Sequence, residues 1–472
     1  MMTDLPWLLW FRRDLRLSDH PMLAAALASG RPLIPLFILD AETEAIGAAA
    51  RWRLGEGLAV FAAALEGIGS RLILRRGASG VVLQDVLAET GAAGVCWSRL
   101  YDPVSRARDG AVKAALRAKG LMAASYPGHL LHEPWTIETG QGGPYRVYTP
   151  FWRAVAAQGC PEAPPRATML PAPSAWPGSA RLSDWRLGRD MRRGAGVIAR
   201  HALPAGEAAA EARADAFLAG PVAGYDAARN RCDTAGTSGL SAHLSLGEIG
   251  PRRLWHGAAR AEAEGRTGAL TFRKELVWRE FAHHLMFHFP HMAQRNWKPD
   301  WDRFPWAGDS DLAEAWRQGR TGEPFVDAAM REMYVTGTMH NRGRMIVASY
   351  LTKHLLTDWR VGMRWFDDCL TDWDPASNAM GWQWAAGSGP DAAPYFRIFN
   401  PASQAETHDP RATYRHRWIA ELTPGPGPEA LAYFDAVPRS WGLDPGAAYP
   451  RPLVDLARGR ERALAAYGAR NT

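Results

Sequence analysis

Five short apolar runs fall within residues 1–130: Leu8 to Phe11, Leu33 to Leu39, Arg71 to Leu74, Gly94 to Trp97 and Met122 to Tyr126. Ala-rich amphipathic stretches separate them. Strands alternating with helices specify a doubly wound, parallel α/β sheet (Rossmann-like), because a parallel strand pair needs a crossover long enough to hold a helix. No GxGxxG follows the first run, so the usual dinucleotide fingerprint is missing.

Periodicity is lost over residues 131–205, where segments such as "PEAPPRATMLPAPSAWPGSA" read as a connector wrapping from one domain to the next. From residue 206 to 472 helical patterns replace strand patterns, in "LTFRKELVWREFAHHLMFHF", "PFVDAAMREMY", "TMHNRGRMIVASYLTKHLLTDW" and "RWFDDCL". This half is expected to be all-α. A chain of 472 residues has length for two or three domains.

Hydrophobic residues at 47% and charged ones at 22% describe an ordinary globular protein, which excludes a disordered chain. No run approaches the ~18 apolar residues of a spanning helix, and Asp4 and a short apolar run at the start predict no secretory leader. A cytoplasmic location is expected, with Cys96, Cys160, Cys232 and Cys369 as separate thiols. The net charge of +6 is carried almost wholly by Arg, which suits planar phosphate contacts, although biased coding DNA gives the same skew. Trp outnumbers both other aromatics, 21 against 15 Phe and 12 Tyr. Indole offers a wide stacking face and is readily oxidised, so base stacking and electron transfer are two uses set against plain packing.

Glu275, Trp278, Arg279 and Ala282 recur at i, i+3, i+4 and i+7, one face of a helix. An ion pair between Glu275 and Arg279, worth a few tenths of a kcal/mol, explains that spacing without any ligand. Asn341, Arg344 and Met345 share another face, too polar for a core stripe. They fit the wall of a polar cavity in which Arg344 needs Asp372 or Asp374 as counter-charge. In "TSGLSAHLSLGE" the hydroxyls either cap a helix or cradle a phosphate. His283, His284, His288 and His291 lack an HExxH carboxylate, and no metal is expected. "DPASNAMGWQWAAGSG" reads as a loop carrying Trp382 and Trp384.

Four segments, "WFRRDLRLSDHPML", "KELVWREF", "DAAMREMYVTGTMHNRGRMIVASYLTKHLLTDWR" and "DPASNAMGWQWAAGSGPDAAPYFRIFNP", resemble the photolyase and cryptochrome family over essentially the whole chain. The resemblance implies a helical domain that binds FAD, active when reduced, in a U shape. Tyr225, Thr237, Ser238, Leu240, Ser241, Arg279, Arg344, Asp372, Asp374 and Asn378 would hold it, with Arg344 and Asp372 paired beside the ring and Asn378 facing N5. Trp382, Trp359 and Trp306 would pass electrons outward. Trp278 and Trp384 would wall the lesion site, Glu275, Asn341 and Met345 would contact a cyclobutane pyrimidine dimer, and Arg229, Arg342 and Arg397 would grip flanking phosphates of UV-damaged DNA.

Within the family, "GGPYRVYTPFWRA", "GTMHNRGRMIVASY" and Thr338 resemble the class III branch near plant cryptochromes. Val104 and Ser105 stand where class I folate-binding members show Asn-Glu, which implies folate (methenyltetrahydrofolate) bound differently, ahead of no antenna or a deazaflavin. The expected activity is light-driven dimer repair by a monomer. A photoreceptor without repair, and a flavin-free adenine-nucleotide binder, are the other readings.

Overall fold

The computed structural model describes residues 5–391 and 397–470; Asp4 and the "AAPYF" part of the last motif lie outside them. Strands β1 (Trp7–Phe11), β2 (Leu33–Leu39), β3 (Ile73–Arg76), β4 (Gly94–Ser98) and β5 (Met122–Tyr126) form one parallel sheet in the order β3-β2-β1-β4-β5. Every residue of β1, β2 and β4 is buried. Alternate residues serve opposite faces. Leu9, Phe11, Leu33 and Phe37 join the core under helix α1 (Ala48–Glu66), while Leu8, Trp10, Ile34 and Leu36 join that under helices Ser79–Thr90 and Pro103–Ala118. The third strand starts two residues later than its apolar run, because pairing with Leu36 of β2 begins at Ile73.

The connector is more structured than its composition suggests. Helix α2 (Tyr148–Gln158) lies inside it and buries Tyr148, Phe151 and Val155 among residues of the helical domain. Farther on, Ala167 and Leu170 enter the core of the sheet. Most of its prolines lie in stretches without regular structure, and its apolar residues are shared between two cores.

The helices that matter for the site are α3 (Gly268–His288), α4 (Asn341–Ser349), α5 (Trp359–Cys369) and α6 (Pro375–Ala386). "TMHNRGRMIVASYLTKHLLTDW" is not one helix: α4 ends in a π-turn over Tyr350–His354, and α5 starts anew with Asp358 as N-cap. The two domains meet through buried charge pairs, Arg53 with Glu248 at 2.7 Å and Arg252 with Asp19 at 3.0 Å. Among the described residues no helix is long and apolar enough to cross a membrane.

Candidate functional site

Helix α6 packs against α3, α4 and α5 at once, so residues on it reach all three. The stretch read as a loop is this helix. Asp374 N-caps it by accepting from Ser377 N at 2.8 Å, Pro375 supplies a preset first turn, and Gly387, at φ 89°, closes it in the left-handed region. Of the residues that suggested a loop, Pro375 and Ser377 sit in its first turn and Gly387, Ser388 and Gly389 at its end, while Gly381 lies within it.

Where α6 meets α4, the Arg344 guanidinium donates to Asp372 Oδ2 at 2.7 Å and to the Met339 carbonyl at 2.9 Å. Asp372 is the expected partner, whereas Asp374 takes other roles. The second oxygen of Asp372 is buried and has no partner among the described residues. Nearby on α6, the Asn378 amide nitrogen donates to the Met363 carbonyl at 3.3 Å and to Asp367 Oδ1 at 3.1 Å. Burial pushes the Asp367 carboxyl up to about 7, and Asn378 pulls it back.

A buried acceptor lacking a donor is costly unless a ligand supplies one. A flavin ring, with N–H donors on its polar edge, fits that need. The hydroxyl loop fits too: Thr237 and Ser241 are exposed, Ser238 is half-buried and Leu240 is buried. Helix Ser241–Leu246 has no side-chain cap, so the capping role weighed for these hydroxyls is not the one they take. Tyr225 lies buried against Phe217 and Phe272, its phenol pushed up to about 12 by burial and by Glu275.

Glu275 does not pair with Arg279. Its carboxylate lies 2.5 Å from the Arg229 guanidinium, and burial raises its pKa while Arg229 lowers it. Arg279 turns the other way and donates to the carbonyl and Nε2 of His129, each at 2.9 Å. Arg342 donates to Asn230 Oδ1 at 2.6 Å; burial lowers its pKa, and Arg229 and Arg397 add to this by repulsion. Three guanidiniums thus crowd one surface on which Arg397 is exposed. Asn341 and Met345 stay together on α4, amide nitrogen to sulfur 4.0 Å.

Asp374 Oδ2 lies 3.0 Å from His283 Nε2 and accepts from Arg13 at 3.1 Å. Burial alone would raise its pKa, but His283, Arg13 and Arg279 hold it well below the usual range. With His129, these groups bring three possible metal ligands within 4.8 Å of one another. Two guanidiniums already point at the same atoms, which disfavours a further cation.

The indoles are set out by the same helices. The rim of the Trp382 indole meets Gly362 of α5, leaving no space for a methyl group there. Trp359 begins α5 and donates to Asn296 Oδ1 at 2.8 Å. Trp306 is brought alongside by two backbone bonds of 2.8 Å, Ala307 N to Leu356 O and Asp358 N to Ala307 O. Trp382 and Trp359 are buried and Trp306 is partly exposed. Trp384 is half-buried. Trp278 stacks on Tyr148.

Tyr148, Asp367, Arg13 and His129 are contributors that sequence reasoning missed. Arg13, Tyr148 and Asp367 lie within quoted segments, but nothing local marks their partners; His129 carried no signal.

The fold is that of a two-domain protein, a parallel α/β sheet followed by a helical domain in which α6 packs against α3, α4 and α5. Residues 7–172 match the family model of DNA photolyase, and residues 272–469 match the FAD binding domain of DNA photolyase. The chain is 45% identical over 98% of its length to the deoxyribodipyrimidine photo-lyase of Agrobacterium fabrum, covering 98% of that protein. It is 35% identical to Cryptochrome-1 of Arabidopsis thaliana over 96% of the chain and 69% of the relative. A bacterial class III photolyase from Agrobacterium tumefaciens superimposes with a TM-score of 0.90 at 44% identity, over 100% of this chain and 98% of that one. The chain belongs to the photolyase and cryptochrome family.

Proposed function

We propose that the chain is a deoxyribodipyrimidine photo-lyase of the class III branch that repairs cyclobutane pyrimidine dimers in DNA. The observation that carries this reading is the orphaned Asp372 oxygen beside Arg344 of α4, just ahead of the N-cap of α6, the helix that bears Asn378, Trp382 and Trp384. Reduced FAD, when bound and excited by light, supplies the electron that splits the dimer.

The protein residues bind, orient and shield. Tyr225, Thr237, Ser238, Leu240 and Ser241 hold the nucleotide side of the cofactor; Arg344, Asp372 and Asn378 meet the ring. Arg279 and Asp374 support it by joining α3 and α6 to the α/β domain. Trp278 and Trp384 offer faces to a dimer lifted from the duplex, where stacking worth ~1–3 kcal/mol per base offsets a flipping cost of a few kcal/mol. Glu275, Asn341 and Met345 contact the dimer, and Arg229, Arg342 and Arg397 take the flanking phosphates, which makes binding fall with salt. Trp306, Trp359 and Trp382 return electrons to oxidised cofactor.

The proposed antenna is folate, bound away from Val104 and Ser105. Val104 is exposed, and the backbone N–H of Ser105 caps onto Asp102, so that turn offers no amide or carboxylate of its own at those two positions.

The test is loss of cyclobutane dimers from UV-treated DNA mixed with photoreduced protein, under blue light and in darkness. Light-dependent loss supports the lyase. Bound, reduced flavin with no lesion binding and no repair replaces it with the photoreceptor reading.

A further inference from the structure

Asn378 is the residue that, on the reading above, faces flavin N5; which of its two amide atoms does so decides the chemistry it offers. Behind it stand two acceptors on one face of α5, the Met363 carbonyl at 3.3 Å and Asp367 Oδ1 at 3.1 Å. A carbonyl at position i and a side chain at i+4 lie one above the other on a helix, so one NH₂ group can serve both. The atom that points that way is nitrogen, because an amide oxygen there would face the lone pairs of the Met363 carbonyl, which cannot donate. Among the described residues no donor reaches Asn378 Oδ1.

Asp367 is itself fixed from outside the helical domain. Gly47, which precedes α1, lies so close to the Asp367 backbone that a Cβ at that glycine would overlap it, and Ala48 N donates to the neighbouring Asp368 at 3.3 Å. The α/β domain thereby sets the position of α5, and α5 sets the amide.

We propose that Asp367 is a positioning residue: with the Met363 carbonyl it locks Asn378 with its oxygen toward the cofactor, so that the protein presents an acceptor to N5. An acceptor there favours the flavin form that carries a proton on N5, the reduced one, and disfavours the oxidised form, whose N5 lone pair it opposes. The inference rests on the placement of Asn378 given under the proposed function.

The test is the two-electron midpoint potential of bound FAD, read by spectroelectrochemistry in the purified holoprotein and in Asp367→Leu, Asp367→Asn and Asn378→Ala. Leu removes the acceptor at similar size, and Asp367→Ala replaces it should Leu not fold; Asn keeps an acceptor and is the conservative rescue. Expected is a tenfold loss of preference for reduced FAD in the Leu variant, a fall of about 30 mV. The Asn variant stays near wild type, and FAD content is unchanged. A potential that moves in Asn378→Ala but not in Asp367→Leu overturns this inference alone. An unmoved potential in Asn378→Ala, or protein that purifies without FAD, overturns the placement of Asn378 and the inference with it.

Discussion

The phenol ring of Tyr148 lies parallel to the indole of Trp278, with centroids 3.7 Å apart and planes 7° from parallel. Its hydroxyl donates to the Lys274 carbonyl at 2.6 Å, so the connector helix α2 is bolted to α3 behind one proposed wall of the lesion site. An indole backed in this way keeps one face fixed for a base. Aromatic pairs contribute about 0.5–1.5 kcal/mol beyond buried area. Tyr148→Ala is therefore expected to weaken binding of UV-treated oligonucleotide about two- to tenfold, while Tyr148→Phe keeps most of it. Equal affinities of all three proteins would remove Tyr148 from the site.

Gly362 and Trp382 touch across α5 and α6, where an added methyl group meets the indole directly. Overpacking of this kind costs about 1–3 kcal/mol. Gly362→Ala should lower the urea midpoint and slow photoreduction of oxidised FAD. An unchanged photoreduction rate in a destabilised variant would show that the displaced indole is not on the electron path.

Trp306 is the part-exposed member of the three indoles proposed to carry electrons. Trp306→Phe should abolish most photoreduction of oxidised FAD yet leave repair by chemically reduced protein intact. Parallel loss of the two activities contradicts the series.

The Arg229 and Glu275 pair puts a guanidinium assigned to DNA on a carboxylate assigned to the dimer. Glu275→Gln should lower repair yield per absorbed photon more than it lowers lesion affinity, because charge on the dimer develops only during reaction. Arg229→Ala should flatten the plot of log affinity against log salt by about 1. A slope unchanged by the substitution would mean that Arg229 touches no phosphate.

Asp374 has a carboxyl pKa held well below its ordinary value of 3.8. A depressed folded pKa contributes stability that is complete above the unfolded value and is lost as pH falls below it. Asp374→Asn, which leaves Arg13 with an uncharged partner, should cost about 3–5 kcal/mol at pH 7. The gap from wild type should narrow on acidification below 3.8, read by urea unfolding across that range. A gap that widens in acid reverses the assignment.

Local pattern sufficed for a good part of the molecule. β2 and β5 run over the residues expected of them, because short apolar runs between amphipathic stretches are written in adjacent positions. The all-α second half is legible for the same reason, and the long motifs carried the family. Reading failed where one local signal was weighed against another: Gly, Ser and Pro around Trp382 and Trp384 suggested a loop, although Asp374, Pro375 and Gly387 already marked the two ends of a helix.

What sequence by itself determined, then, is the kind of element at each place and the residue types that share a face. Tertiary structure alone decided which partner each charged group takes. Glu275 had Arg279 one turn away and chose Arg229, and Asp374 is held by Arg13, 361 positions distant. Helical spacing fixes only which side chains are within reach along one element. Burial penalises any charge left unmatched, so the partner is the one that packing of separate elements brings to it.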